Sequence, residues 1–297
     1  MPASVVDFPP TRIASRYLSC LRVPEIFILQ GSPLMGVLYA IARPGVEHLA
    51  PIAILVAANI LLVAHIFMLN DWAGLTTDVA DPNRAATVFT SRGVHRREMS
   101  LLVLFLLVVS LVLFGRFGPV TLGLAVAIAA LSALYSLPVF NWKGKPILNS
   151  VAHLAGGALH FLLGYSVMSA IDSRGLAMAS FFGLSFAAGH LIQEIRDYQS
   201  DARNAISTNA VTFGRRRMFI ASAMLFTLAY VVLFVLALRG VIPRSLTFLI
   251  ALYPVHARWS LGALRAGLTR SSVHRLQTRY RALYVVIGLA MVAALFQ

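Results

Sequence analysis

Seven of the chain's 11 Asp and Glu residues fall in two short segments and their flanks: Asp71, Asp78, Asp81 and Glu98, then Glu194, Asp197 and Asp201. Each segment follows a long apolar run, so these carboxylates gather beside a bilayer. Negative charge concentrated there is costly unless a cation answers it. Glu194, Asp197 and Asp201 are spaced i, i+3, i+7, which places them within about 60° of one another on a helix. Three carboxylates on so narrow a stripe repel unless positive charge lies among them. Hard oxygen ligands of this kind select Mg²⁺ or Mn²⁺ over zinc, and a divalent metal carrying an anionic substrate is the economical answer. The competing reading is a solvated helix end with Arg196 and Arg203 as salt-bridge partners. In the first segment Asn70 and Asp78, at i and i+8, lie about 80° apart on a helix, while Asp71 points further round. Asp81 precedes Pro82, which disfavours helical geometry there, so Asp81-Pro82-Asn83 also reads as a helix-ending turn.

The elements that must carry these residues are membrane helices. The chain is 59% hydrophobic and only 12% charged, with a mean hydropathy of +0.79. A soluble domain carries about 25% charged residues. Apolar runs near 23–42, 48–69, 99–115, 118–137, 147–169, 175–193, 218–238, 245–264 and 279–296 each reach the roughly 17–25 residues of a spanning helix. They are continuous rather than alternating, which excludes a β-barrel. The expected fold is an all-α polytopic membrane protein with about nine transmembrane helices. Residues 1–22 read as a cytoplasmic N-terminal segment, in which Thr11–Arg22 suits an interfacial amphipathic helix. Residues 23–297 form a single transmembrane domain, with no linker long enough to separate soluble domains. The first 22 residues lack an apolar h-region, so the first spanning helix is expected to act as an uncleaved anchor. Polar features recur at the same ends of alternate helices, hinting at a four-helix repeat plus one.

The formal net charge of +14 is distributed by topology. With the N-terminus inside, 19 Lys and Arg residues fall in inside segments and five in outside loops, a strong positive-inside bias. That bias accounts for the basicity without nucleic acid, which is not an expected partner. The expected location is a bacterial cytoplasmic membrane with the acidic segments facing the cytoplasm. Cys20 is the lone cysteine, so no intrachain disulfide is available. The histidines are dispersed without zinc-ligand spacing, and those in apolar helices suit packing or interhelical hydrogen bonds. His190 stands one turn before Glu194 and is placed to hydrogen-bond it. Serine nucleophile patterns and Gly-rich phosphate loops are absent.

Asn70-Asp71-Trp72-Ala73-Gly74-Leu75-Thr76-Thr77-Asp78 and Glu194-Ile195-Arg196-Asp197-Tyr198-Gln199-Ser200-Asp201 resemble the two signatures, NDxxDxxxD and DxxDxxxD, of the UbiA superfamily of intramembrane prenyltransferases. Between them, Tyr135-Ser136-Leu137-Pro138 with Lys143-Gly144-Lys145-Pro146 and Asn149 is similar to that family's YSxPPxxLKxxP segment. Thr208 and Gly214 follow the second signature, and Gly93 to Glu98 is similar to the family's entry into its third helix. The similarity covers essentially the whole chain, and three motifs in the correct order make it specific. Four departures stand out. Gly74 occupies the place of a ligand aspartate, Val88-Phe89 stand at the usual Arg-Pro, Asn141 replaces a common basic residue, and Glu194 replaces Asp.

The resemblance implies a helical bundle around a central cavity open to the cytoplasmic face and the bilayer. It implies Mg²⁺ held by Asn70, Asp71, Asp78, Glu194, Asp197 and Asp201, with Asn70, Asp78, Asp197 and Asp201 central to catalysis. Lys143, Arg22, Arg84, Tyr135, Ser136, Asn149 and Tyr198 would bind the substrate. The implied reaction is transfer from an allylic prenyl diphosphate to a lipophilic acceptor, aromatic by default, with release of diphosphate. Tyr135, Trp142 and Tyr198 could face a carbocation or act as interfacial anchors. A terpene cyclase on the same scaffold is an alternative. An ion-coupled transporter fits less well, because carriers place critical charges near the bilayer midplane.

Overall fold

The computed structural model describes residues 10–41, 45–80 and 85–296, and these are helical with no strand among them. Short helices α1 (Pro10–Ser19) and α2 (Val23–Ile28) lead into α3 (Gly31–Ala40) and the long α4 (Leu49–Ala73). After α5 (Leu75–Ala80) come α6 (Arg96–Gly115), α7 (Pro119–Ser136), α8 (Leu148–Met168) and α9 (Ser173–Arg203). A single turn, α10 (Asn209–Phe213), precedes α11 (Arg215–Leu238), α12 (Tyr253–Arg265) and α13 (Arg270–Ala293). Helix α1 overlaps the segment expected to be an interfacial helix.

Eight helical stretches among the described residues are long and apolar enough to cross a membrane. The ninth expected span, 245–264, is helical but divided. It begins as a 3₁₀ stretch, Arg244–Leu252, and becomes α12 at Tyr253-Pro254. Proline fits the first turn of a helix but not its interior, so the division falls there. His256 and Arg258 then make α12 more polar than α11.

Outward faces carry apolar side chains for lipid, as Leu101, Leu104, Phe105, Val108 and Val112 do on α6. Inward faces form continuous cores. Val37, Leu55, Leu62, Phe114, Ile128 and Leu163 join α3, α4, α6, α7 and α8. Ile192, Phe219, Phe226 and Leu276 join α9, α11 and α13. Two buried polar side chains within the bundle show how backbone partners are found away from water. His65 Nδ1 lies 2.9 Å from the Val103 carbonyl and Ser110 Oγ donates to Ala58 O at 2.9 Å. At the opposite end of α9, Asp172 caps the helix by accepting from Gly175 N–H at 2.7 Å. That bond holds the Asp172 carboxyl below the usual carboxylate range.

Helices α3 and α8 meet backbone to backbone. A Cβ on Gly164 would stand 1.9 Å from Pro33 O, and one on Gly36 would stand 2.1 Å from Phe161 O. Helices α8 and α9 repeat the device with Gly157 and Gly183, where added Cβ atoms would come within 2.8 Å of Phe182 O and Leu154 O respectively. Small residues at such crossings let membrane helices gain contact without a hydrophobic driving force. Gly164→Ala should therefore destabilise the protein by about 1–3 kcal/mol. A thermal-unfolding midpoint in detergent equal to that of the parent would contradict this reading.

Candidate active site

Helix α4 delivers Asn70 and Asp71 in its last turn and ends at Gly74. The Gly74 N–H still donates to Asn70 O at 2.9 Å, and Asp78 N–H donates to Gly74 O at 2.9 Å. The helical bonding thus carries on through the break, with Asp78 one turn beyond Gly74. A Cβ at Gly74 would lie 3.3 Å from Asp78 Oδ2 and 3.1 Å from Asn70 O. The missing side chain makes room for the Asp78 carboxylate. Gly74→Ala should push Asp78 aside and lower turnover several-fold, with a raised Mg²⁺ requirement. Unchanged turnover and Mg²⁺ dependence would show that Asp78 does not need this space.

Asp71 is held in an ion pair by Arg22, from the turn before α2. Its electrostatic neighbours also include Asp78 and Lys143. Lys143 sits in the short 3₁₀ turn Trp142–Gly144, which Asn141 enters in the left-handed region at φ 46°. Asn tolerates that conformation better than most residues, which suits the departure at this position. Asp81 and Arg84 lie outside the described residues.

The second cluster splits into two kinds of carboxylate. Glu194 is 3% exposed and is spent on protein donors. Its Oε1 accepts from Asn149 Nδ2 at 2.5 Å and Asn209 Nδ2 at 3.0 Å, with His190 Nε2 at 3.1 Å. Its Oε2 accepts from Ala210 N–H at 3.1 Å. Glu194 is thus a buried tie between α8, α9 and α10. Asn149 belongs to the same tie. Its side chain is fully buried and joins Lys143 O, at 3.1 Å, to Glu194. It braces the lysine loop. Asn209 completes the brace by accepting from Ile147 N–H at 2.7 Å and donating to Ser150 Oγ at 3.1 Å.

Asp197 receives a bidentate pair from Arg196, Nε at 2.9 Å and Nη2 at 2.7 Å. Asp201 is buried. Tyr135 at the end of α7 has Glu194, Asp197 and Asp201 as its charged neighbours. Its ring meets His153 edge-on at 5.1 Å, and His153 stacks on His190 at 3.4 Å between centroids. Ser136 follows Tyr135 at the same helix end. Tyr198 lies beneath Arg215, whose guanidinium is 5.2 Å from its ring centroid. The expected His190 to Glu194 hydrogen bond is present. The Arg196 salt bridge of the competing reading is also present, to Asp197, whereas His153 and Asn209 were not legible as site residues, because each depends on which helix faces which.

Among the described residues no three His, Cys, Asp or Glu side chains gather closely enough to hold a metal unaided. That suits Mg²⁺, which keeps several waters and takes one or two carboxylates plus substrate phosphates. The remaining donors, the Asn70 amide and the carboxylates of Asp71, Asp78, Asp197 and Asp201, are all hard oxygens. Arg22 and Arg196 neutralise two of those carboxylates in the meantime.

A helical membrane bundle presenting two such acidic clusters, with a lysine loop between them, defines a class. Residues 32–277 match the UbiA prenyltransferase family, and the chain belongs to it. It is an integral membrane enzyme, a prenyltransferase. A lycopene elongase/hydratase of Haloferax volcanii is 28% identical over 279 residues, covering 92% of this chain and 86% of that protein. A lycopene elongase/hydratase of Haloarcula japonica is 25% identical over 230 residues, covering 74% and 75%. The fold matches a UbiA homolog from Archaeoglobus fulgidus bound to GPP and Mg²⁺, with a TM-score of 0.72 at 16% identity over 94% of this chain and 99% of that one. It also matches a digeranylgeranylglyceryl phosphate synthase structure, with a TM-score of 0.74 at 14% identity over 96% and 99%.

Proposed function

We propose that the enzyme carries out Mg²⁺-dependent transfer of a prenyl group from an allylic prenyl diphosphate to a lipophilic acceptor, releasing diphosphate. The observation that carries this reading is the placement of Lys143. The lysine is an electrostatic neighbour of Asp71 in the first cluster, and its loop is tied through Asn149 to Glu194 in the second. One anion-binding side chain thus serves both acidic clusters.

In this reading Asn70, Asp71, Asp78, Asp197 and Asp201 hold Mg²⁺. Bound Mg²⁺ would supply charge neutralisation for the departing diphosphate. Lys143 and Arg22 bind phosphate oxygens and stabilise the charge that develops as the C1–O bond breaks. The diphosphate leaves with the electron pair, the acceptor carbon bonds to C1, and the acceptor then loses a proton. Tyr135, beside Ser136, presents an aromatic face where positive charge develops on the prenyl group. Glu194 and Asn149 act through Lys143 as positioning residues. The two relatives named lycopene elongase/hydratase favour a linear polyene over the aromatic acceptor expected from the sequence. The positive-inside bias supports a cytoplasmic orientation for the N-terminus and the acidic clusters.

The test is diphosphate release by purified protein with Mg²⁺ and a panel of prenyl diphosphates, with lycopene, a phenol, a quinone or no acceptor. Release that requires an acceptor, lycopene above all, is the expected result. Release with a hydrocarbon product and no acceptor would make the enzyme a cyclase. No Mg²⁺-dependent release under any condition would overturn both.

A further inference from the structure

A second feature near the end of α9 shares Asp197 with the chemistry described so far but is otherwise built from residues it does not use. Where α9, α11 and the start of α13 converge there is a cavity of about 220 Å³, lined by Arg196, Arg203, Arg215 and Arg270 together with Thr269 and Tyr198. A more open cleft continues from it past Arg270 to Ser271 and His274. Asp197 is the acidic residue in this lining, so four guanidinium groups face one carboxylate.

Two of the four arginines are fixed in place. Arg196 spends Nε and Nη2 on Asp197 and donates from Nη1 to Gln277 Oε1 at 3.1 Å. Arg215 donates from Nη1 to Leu268 O at 3.2 Å and lies over the Tyr198 ring. Arg203 and Arg270 have no hydrogen-bond or ion-pair partner among the described residues. The lining therefore holds three positive charges beyond the one that Asp197 answers.

Topology alone would explain arginines at this end of the bundle, but it asks only for their number. It does not ask them to converge. Arg216 and Arg217, next to Arg215, satisfy the same bias from exposed positions and take no part in the lining. Convergence of like charges in a concave, partly desolvated space is unfavourable until an anion enters it. Guanidinium forks match phosphate oxygens in geometry as well as charge. The first-turn N–H groups of Arg270 and Ser271 open α13 at the same mouth, adding a favourable dipole.

We infer that this cavity is a second anion site, which takes a phosphoryl group through Arg203, Arg215 and Arg270. Its occupant is either free phosphate or diphosphate, or the headgroup of an anionic phospholipid. Its arginines are distinct from the Lys143 and Arg22 pair proposed for the prenyl diphosphate; it borders the proposed metal set only at Asp197, and a titration without Mg²⁺ reads it independently of that proposal.

The test uses the full chain without Mg²⁺ and reads its thermal-unfolding midpoint during titration with inorganic phosphate. Ligand that binds only the folded state raises this midpoint in a saturable way. Phosphate should stabilise the parent protein in discs of phosphatidylcholine. In R203Q/R270Q the concentration needed should rise at least tenfold, while K143A should behave like the parent. Repeating the titration in discs containing phosphatidylglycerol separates the sources. Loss of the phosphate effect there, with a raised starting midpoint that R203Q/R270Q lacks, assigns the site to lipid headgroup. The same response in both discs assigns it to free phosphate. The inference is overturned if R203Q/R270Q responds like the parent, if K143A abolishes the response, or if neither phosphate nor phosphatidylglycerol stabilises the parent.

Discussion

Glu194→Ala is expected to lower stability by about 3–5 kcal/mol, the usual cost of removing one member of a buried charged network. The loss is large because four donors converge on one carboxylate that is 3% exposed. Each buried donor left unpaired costs about 1–3 kcal/mol, and the contributions of neighbours do not simply add. Glu194→Gln keeps the shape but turns an amide donor toward other donors, so its cost should be smaller and still measurable. Thermal unfolding in detergent gives the stability effect. The discriminating measurement is Mn²⁺ affinity in the presence of diphosphate. It should be nearly unchanged in Glu194→Gln, whereas diphosphate affinity should fall as it does in Lys143→Ala. A tenfold loss of Mn²⁺ affinity with stability intact would return Glu194 to the ligand role that its sequence position suggested.

The second large effect is on turnover. Asp197→Ala and Asp201→Ala should each reduce prenyl diphosphate consumption by about 10²–10³-fold, the range seen when a group that stabilises transition-state charge is removed. Neither should unfold the protein. Asp197 stands at the side of α9, and its partner Arg196 keeps a hydrogen bond to Gln277 at 3.1 Å when the carboxylate is gone. Consumption close to the parent rate, measured at saturating Mg²⁺, would remove these two residues from the metal assignment.

The contrast between Glu194 and its two neighbours marks where sequence reading stops. The helix period places Glu194, Asp197 and Asp201 on one stripe, and the structure puts all three on α9. Spacing says nothing about which acid faces a neighbouring helix and which faces an opening. That distinction depends on Asn149 and Asn209, 45 and 15 residues away in the chain. The apolar runs were legible because lipid imposes length and continuity on every span. The division of the 245–264 segment was harder to see, since Tyr253-Pro254 permits either a kinked span or a fresh helix start. Gly74 was legible as a departure, but its reason is spatial: it leaves room for Asp78. The arginine cavity was invisible because the positive-inside bias already accounted for every residue in it.

The glycine crossings of α3, α8 and α9 have a consequence for traffic. Backbones that touch at Gly36, Gly164, Gly157 and Gly183 leave no seam wide enough for an alkyl chain. These three helices form a sealed wall. On the proposed reaction, a prenyl tail or lipophilic acceptor dissolved in the bilayer would not pass at these crossings. Widening this wall would leak stability without opening a door.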